Sequence, residues 1–125
     1  MIVVDASVVL ATLLQEPGGQ FFANLTVDYR ISTMNLGEVA SRLSEKGHSN
    51  WHVRAAIEPL IINCVALTAG QAMQAGFWRN QTKAFGLSMG DRICLALALD
   101  LGAEVYTADR SWAALDLGVT VRLIR

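Results

Sequence analysis

Short β-branched runs alternate with helix-periodic segments from one end of this chain to the other, and that alternation admits few folds. Ile2-Val3-Val4 is followed by helical spacing over Ser7 to Gln15 (Val8, Leu10, Ala11, Leu14), which stops at Pro17-Gly18-Gly19. The pattern predicts a second helix over Gln20 to Val27 and a strand over Tyr29 to Ser32. Asn35 to Lys46 carries Leu36, Val39, Ala40 and Leu43 at helical spacing and closes on Gly47. Asn50 to Glu58 predicts a helix up to Pro59, Ile61 to Leu67 a strand, and Ala69 to Ala84 a further helix. Ser88 opens a helix to Leu101, closed by Gly102, and Glu104 to Thr107 follows as a strand. Ser111 to Leu115 predicts a short helix and Val119 to Ile124 a last strand. Strand–helix–strand order of this kind implies an α/β fold, a parallel sheet with helices on both faces. Ligands in such sheets bind just beyond the carboxyl ends of the strands.

A chain of 125 residues without linker, charge run or repeat is expected to form one domain over residues 1–125. Apolar residues make up 53% and charged residues 17%, with a mean hydropathy of +0.37, which excludes disorder. So apolar a composition predicts that some apolar surface is covered by a partner or a second copy of the chain. The longest apolar run, Ile93 to Leu99, is too short to span a membrane, and the acid at position 5 argues against a signal peptide. A net charge of −1 leaves local patches as the only means of holding a nucleic acid. Cys64 and Cys94 lie in apolar segments and are expected to be buried free thiols in a reducing cytoplasm.

The acids are where chemistry enters. Asp5 directly follows the first strand, and Asp109 lies two residues past the strand ending at Thr107. Glu38 and Asp91 stand in the first turns of the Asn35 and Ser88 helices. If those helices start at one sheet edge, four acids from distant segments converge, as a divalent cation requires. Each also has a plain structural reading. Asp5 and Asp109 fit helix caps, Asp91 fits a capping box with Ser88, and Glu38 points away from its helix's apolar side toward solvent. Two carboxylates about 5 Å apart repel by roughly 3 kcal/mol at an effective dielectric of 20, so a real cluster raises its own pKa values or binds a cation. Bound metal would activate water and neutralise a phosphodiester, with Asp109 or Glu38 as base.

Other residues carry weaker signals. His48 and His52 are four apart but flank a turn and read as a surface pair. Arg92 and Arg110 each follow an acid, to orient a phosphate or to pair with the cluster. Trp51, Phe77, Trp78 and Trp112 fit base stacking, core or a subunit contact. Gly90 suits a tight helix start, and the glycines form neither dinucleotide nor P-loop motifs.

Five stretches together resemble the PIN-domain ribonucleases of the VapC toxin type, found in bacterial toxin–antitoxin pairs. They are Ile2-Val3-Val4-Asp5-Ala6-Ser7, Asn35-Leu36-Gly37-Glu38-Val39, Leu87-Ser88-Met89-Gly90-Asp91-Arg92, its continuation Cys94-Leu95-Ala96-Leu97-Ala98, and Tyr106-Thr107-Ala108-Asp109-Arg110. The resemblance spans essentially the whole chain. It implies a three-layer α/β/α PIN-like domain with a central parallel sheet, and a Mg²⁺- or Mn²⁺-dependent endoribonuclease. Asp5, Glu38, Asp91 and Asp109 match the family's four acids, with Asp5 and Asp91 the expected direct metal ligands and Ser7 and Thr107 the supporting hydroxyls. It further implies an RNA substrate, a cognate VapB-type antitoxin, a homodimer, a cytoplasmic site of action, and contact with DNA only through the antitoxin. Two rivals remain. An aspartate-nucleophile phosphatase also places an Asp after its first strand but needs a second two residues on, where this chain has Ser7. An α/β interaction module would use the acids as helix caps only.

Overall fold

Positive-φ glycines and side-chain N-caps set most of the element boundaries. The structure, a computed structural model, describes residues 1–23 and 26–125. Strand β1 (Ile2–Val4) runs into helix α1 (Ala6–Leu13), whose N-cap is Asp5. After Gly18 (φ 82°) a 3-10 turn covers Gly19–Ala23 and leads to β2 (Tyr29–Ser32). Ser32 caps α2 (Thr33–Glu45), and Gly47 (φ 92°) turns the chain toward α3 (Asn50–Ile57) and β3 (Ile62–Val65). Helices α4 (Ala69–Phe77) and α5 (Arg79–Thr82) precede α6 (Met89–Leu101), which Gly102 (φ 60°) ends. Strands β4 (Glu104–Thr107) and β5 (Val121–Leu123) flank a 3-10 turn over Arg110–Ala114.

All five strands are parallel, in the order β3-β2-β1-β4-β5. The period-2 alternation of β1 sends Val3 to one face and Val4 to the other. On the first face Val3 and Val105 pack with Trp78, Trp112 and the α6 residues Cys94 to Ala98. On the second, Val4 packs with Val8, Val9, Ile31, Val39 and Leu43 from α1, β2 and α2. Three layers, α/β/α, result as expected. No helix among the described residues is long and apolar enough to cross a membrane.

Several expectations need correction. The segment read as a helix over 20–27 is a 3-10 turn over Gly19–Ala23 with a turn at Thr26 and Val27; residues 24 and 25 lie outside the described residues. Here Gly19 packs against the Ala11 carbonyl and Phe22 anchors edge-on against Tyr29 at 4.7 Å, and tertiary contact overrides helix spacing. The helix expected over 69–84 breaks at Trp78, whose buried indole joins the α6 layer and whose carbonyl accepts from the Thr82 hydroxyl at 2.7 Å. Cys64 is exposed rather than buried, because β3 is an edge strand; Cys94 is buried as expected. Both histidines are exposed, with His52 Nδ1 2.8 Å from the Ser49 hydroxyl.

Neighbouring leucines on α6 test this layering. Leu97 is fully buried and Leu99 is 40% exposed. Leu97→Ala is expected to cost about 2–5 kcal/mol in urea denaturation, and Leu99→Ala about 0.5 kcal/mol or less. Equal losses would contradict the assigned face.

Candidate metal centre at the carboxyl edge of the sheet

In the strand order β3-β2-β1-β4-β5 the chain reverses its direction of travel at β1, so the crevice of this fold opens beyond the ends of β1 and β4. Asp5 stands there, 5% exposed. Its Oδ1 accepts from the Ser7 hydroxyl at 2.5 Å and from Val8 N–H at 3.2 Å, and its Oδ2 accepts from the Thr107 hydroxyl at 2.7 Å. Both hydroxyls are oriented by the loop after β4. Ala108 N–H donates to Ser7 Oγ at 2.8 Å and Asp109 N–H to Thr107 Oγ1 at 3.0 Å. An N–H can only donate, so each hydroxyl spends its lone pair on the backbone and its hydrogen on Asp5. The ends of two strands are thereby tied to one carboxylate.

The other acids arrive from the helices. Asp91 forms the capping box of α6, its Oδ2 accepting from Ser88 N–H at 2.9 Å while its own N–H donates to Ser88 Oγ at 3.2 Å. Asp109 caps the following 3-10 turn, its Oδ1 accepting from Ser111 N–H at 3.0 Å and the Ser111 hydroxyl at 2.8 Å. The cap readings are therefore correct for Asp5, Asp91 and Asp109. Each cap leaves acceptor capacity over: Asp91 Oδ1 and Asp109 Oδ2 take no protein hydrogen bond among the described residues. Glu38 departs from its plain reading. It points away from the apolar side of α2, as its spacing requires, but meets α6 there instead of water and is half-buried.

Helices α2 and α6 do begin at the same edge: Asn35 Nδ2 donates to the Gly90 carbonyl at 3.0 Å and to Glu38 Oε1 at 2.7 Å. The four acids share an electrostatic field. Burial lifts the Asp5 carboxyl from 3.8 to about 6, against the lowering by its hydrogen bonds, and the charge of Asp91 adds to the rise. Burial likewise raises Glu38 and Asp91; Asp91 adds to the first and Asp109 to the second. Beneath them the buried Cys94 thiol is pushed well up by burial and by the charges of Asp5, Asp91 and Glu38 together. As the side chains stand, no three His, Cys, Asp or Glu groups among the described residues close on one ion-sized point. The donor set nonetheless suits a hard cation, which takes one or two carboxylates and keeps several waters.

Among the described residues Arg92 and Arg110 form no ion pair with the four acids, although the charge of Arg92 lowers the Asp91 carboxyl. Arg92 is buried and donates to the Ala75 carbonyl at 2.7 Å and the Ser88 carbonyl at 3.3 Å, joining the last turn of α4 to the start of α6. Arg110 donates to the Arg125 carbonyl at 3.1 Å. Trp78 and Trp112 are core, whereas Trp51 and Phe77 are 72% and 74% exposed. Away from the acids, an apolar groove of about 420 Å³ runs between α2 and α3, lined by Leu36, Ala40, Val53 and Ile57.

A PIN domain matches the chain over residues 2–117. The chain belongs to the PIN-domain family. No curated protein sequence matches it. Solved structures share the fold of this PIN domain at low identity. A toxin–antitoxin complex from Klebsiella pneumoniae gives a TM-score of 0.76 at 18% identity, covering 100% of this chain and 98% of that one. DNA-bound VapBC from Salmonella typhimurium gives 0.78 at 20%, covering 100% of both. VapC20 of Mycobacterium tuberculosis, a Sarcin-Ricin loop cleaving toxin, gives 0.74 at 20%, covering 96% and 99%.

The raised Asp5 value has a consequence for the stability of this PIN domain without metal. Well below pH 3.8 Asp5 is protonated whether the chain is folded or not, and nothing is lost. Between pH 4 and 6 the unfolded chain ionises first, so stability falls as pH rises and the full cost, about 3 kcal/mol, holds above pH 6. Asp5→Asn is expected to raise the melting temperature in EDTA at pH 7.5 by several degrees and to leave it nearly unchanged at pH 3. A lower melting temperature at pH 7.5 would contradict the assigned burial of charge.

Proposed function

We propose that this PIN domain is a divalent-cation-dependent endoribonuclease and the toxin of a VapBC-type toxin–antitoxin pair, acting in the cytoplasm. One observation carries the reading: Asp5, Glu38, Asp91 and Asp109 come from four separate segments, and the charge of Asp91 acts on both Asp5 and Glu38 while that of Asp109 acts on Asp91. Helix capping alone accounts for three of these acids but gives no reason to bury Asp5 or to turn Glu38 into the α6 backbone. A phosphatase reading has nothing in its favour, since the Ser7 hydroxyl is already committed to Asp5.

Asp5 and Asp91 are the residues assigned to hold the cation, Asp5 because two hydroxyls and one N–H fix its plane, Asp91 because its cap leaves Oδ1 available. Mg²⁺ or Mn²⁺ bound there supplies charge neutralisation of the scissile phosphodiester and a water of lowered pKa. Glu38 and Asp109 are left to take the proton of the attacking water. Ser7 and Thr107 hold Asp5 in place throughout.

A VapB-type antitoxin as partner is supported by the toxin–antitoxin complexes that share this fold, and the apolar groove between α2 and α3 is a surface suited to such a segment. A homodimer is supported by Met73 and Phe77, 56% and 74% exposed one turn apart on α4. The purified chain is expected to cut RNA in the presence of Mn²⁺ or Mg²⁺, to stop in EDTA, and to lose more than about 100-fold in rate in Asp5→Asn and in Asp91→Asn. Undiminished cleavage in EDTA or in either variant would refute it.

A further inference from the structure

Asn35 is 1% exposed, and its amide sits between two groups that can only accept hydrogen bonds. One Nδ2 hydrogen goes to Glu38 Oε1 at 2.7 Å and the other to the Gly90 carbonyl at 3.0 Å. The amide cannot be turned over, because its oxygen would then face a carboxylate and a carbonyl. The chosen orientation leaves Asn35 Oδ1 buried without a partner. Leaving a buried carbonyl unpaired is costly, so the two donated bonds must be what sets this side chain. Packing alone would be served better by an apolar residue.

Gly90 completes the arrangement. A Cβ there would lie 2.5 Å from Glu38 Oε2 and 2.7 Å from its Oε1 and Cδ. The φ of Gly90 is not among the positive values, so backbone conformation gives no reason for glycine at this place in α6. The space is required by the Glu38 carboxylate. The three atoms nearest an added methyl group all belong to the far end of the Glu38 side chain, so the substitution is expected to displace Glu38 first.

We propose that Asn35 and Gly90 form a positioning device for Glu38: the amide clamps the carboxylate to the α6 backbone, and the missing side chain leaves it room beside Asp91. This inference rests on the proposed function, in which the charge of Glu38 stands beside the cation held by Asp5 and Asp91 and adds to its binding. The pair also ties the start of α2 to the start of α6, so it sets how far the acid carried by α2 stands from the acid carried by α6.

Mn²⁺ alone is the probe, with its free concentration read by electron paramagnetic resonance and folding checked by melting in EDTA. Glu38→Gln, Asn35→Ala and Gly90→Ala are each expected to weaken Mn²⁺ binding by roughly 10-fold, and Asn35→Ala to add nothing in the Glu38→Gln background. If Asn35→Ala fails to fold, Gly90→Ala with Glu38→Gln makes the same cycle. Weakening by Glu38→Gln with no effect of Asn35→Ala or Gly90→Ala would overturn the positioning role and leave the site intact. Full additivity with Glu38→Gln would do the same, since the residue would then act otherwise than through Glu38. Unchanged binding in Glu38→Gln would remove Glu38 from the site and this inference with it.

Discussion

An ionisable carboxylate buried at the end of the central strand is the constraint on which the rest of this structure depends. Asp5 is almost inaccessible, yet it is held by two hydroxyls and a backbone N–H that all favour its charged form. Burial outweighs them, and the carboxyl rises to about 6. The loop after β4 is folded so that its N–H groups orient Ser7 and Thr107, and through them Asp5. Such an arrangement stores a cost at neutral pH that a cation would relieve.

Stability and chemistry are therefore built from the same atoms. Capping oxygens of Asp5, Asp91 and Asp109 hold the starts of α1, α6 and the 3-10 turn after β4, and the caps leave Asp91 Oδ1 and Asp109 Oδ2 without a protein hydrogen bond among the described residues. A capping acid already sits at the positive end of a helix, which eases the burden of its charge. The two readings of these acids are not rivals.

Much of this was legible in the sequence because it is local. Ser88 with Asp91, Gly102 after Leu101, and the runs Ile2–Val4, Tyr29–Ser32 and Glu104–Thr107 are set by neighbours within a few residues, and they match the structure. The 3-10 turn at Gly19–Ala23 and the break at Trp78 escaped because distant packing decides them. Cys64 escaped because an apolar run does not say whether its strand lies at the edge of a sheet. Asp5, Asp91 and Asp109 are legible as candidates from their places after strands or at a helix start. Asn35 had a visible signal in its spacing three residues before Glu38. Its second bond, to Gly90, spans 55 positions and has no counterpart in local pattern.

Burial and the charge of Asp91 raise Asp5 and Glu38 together, a cost that a divalent cation can relieve. Side-chain carboxyl ¹³C NMR, run as a pH titration with and without Mg²⁺, tests it directly. The account predicts that Asp5 titrates near 6 in the free protein and moves down when Mg²⁺ is added, with Asp91 following it. Asp5, Glu38 and Asp91 all titrating at ordinary carboxylate values, unmoved by Mg²⁺, would contradict it.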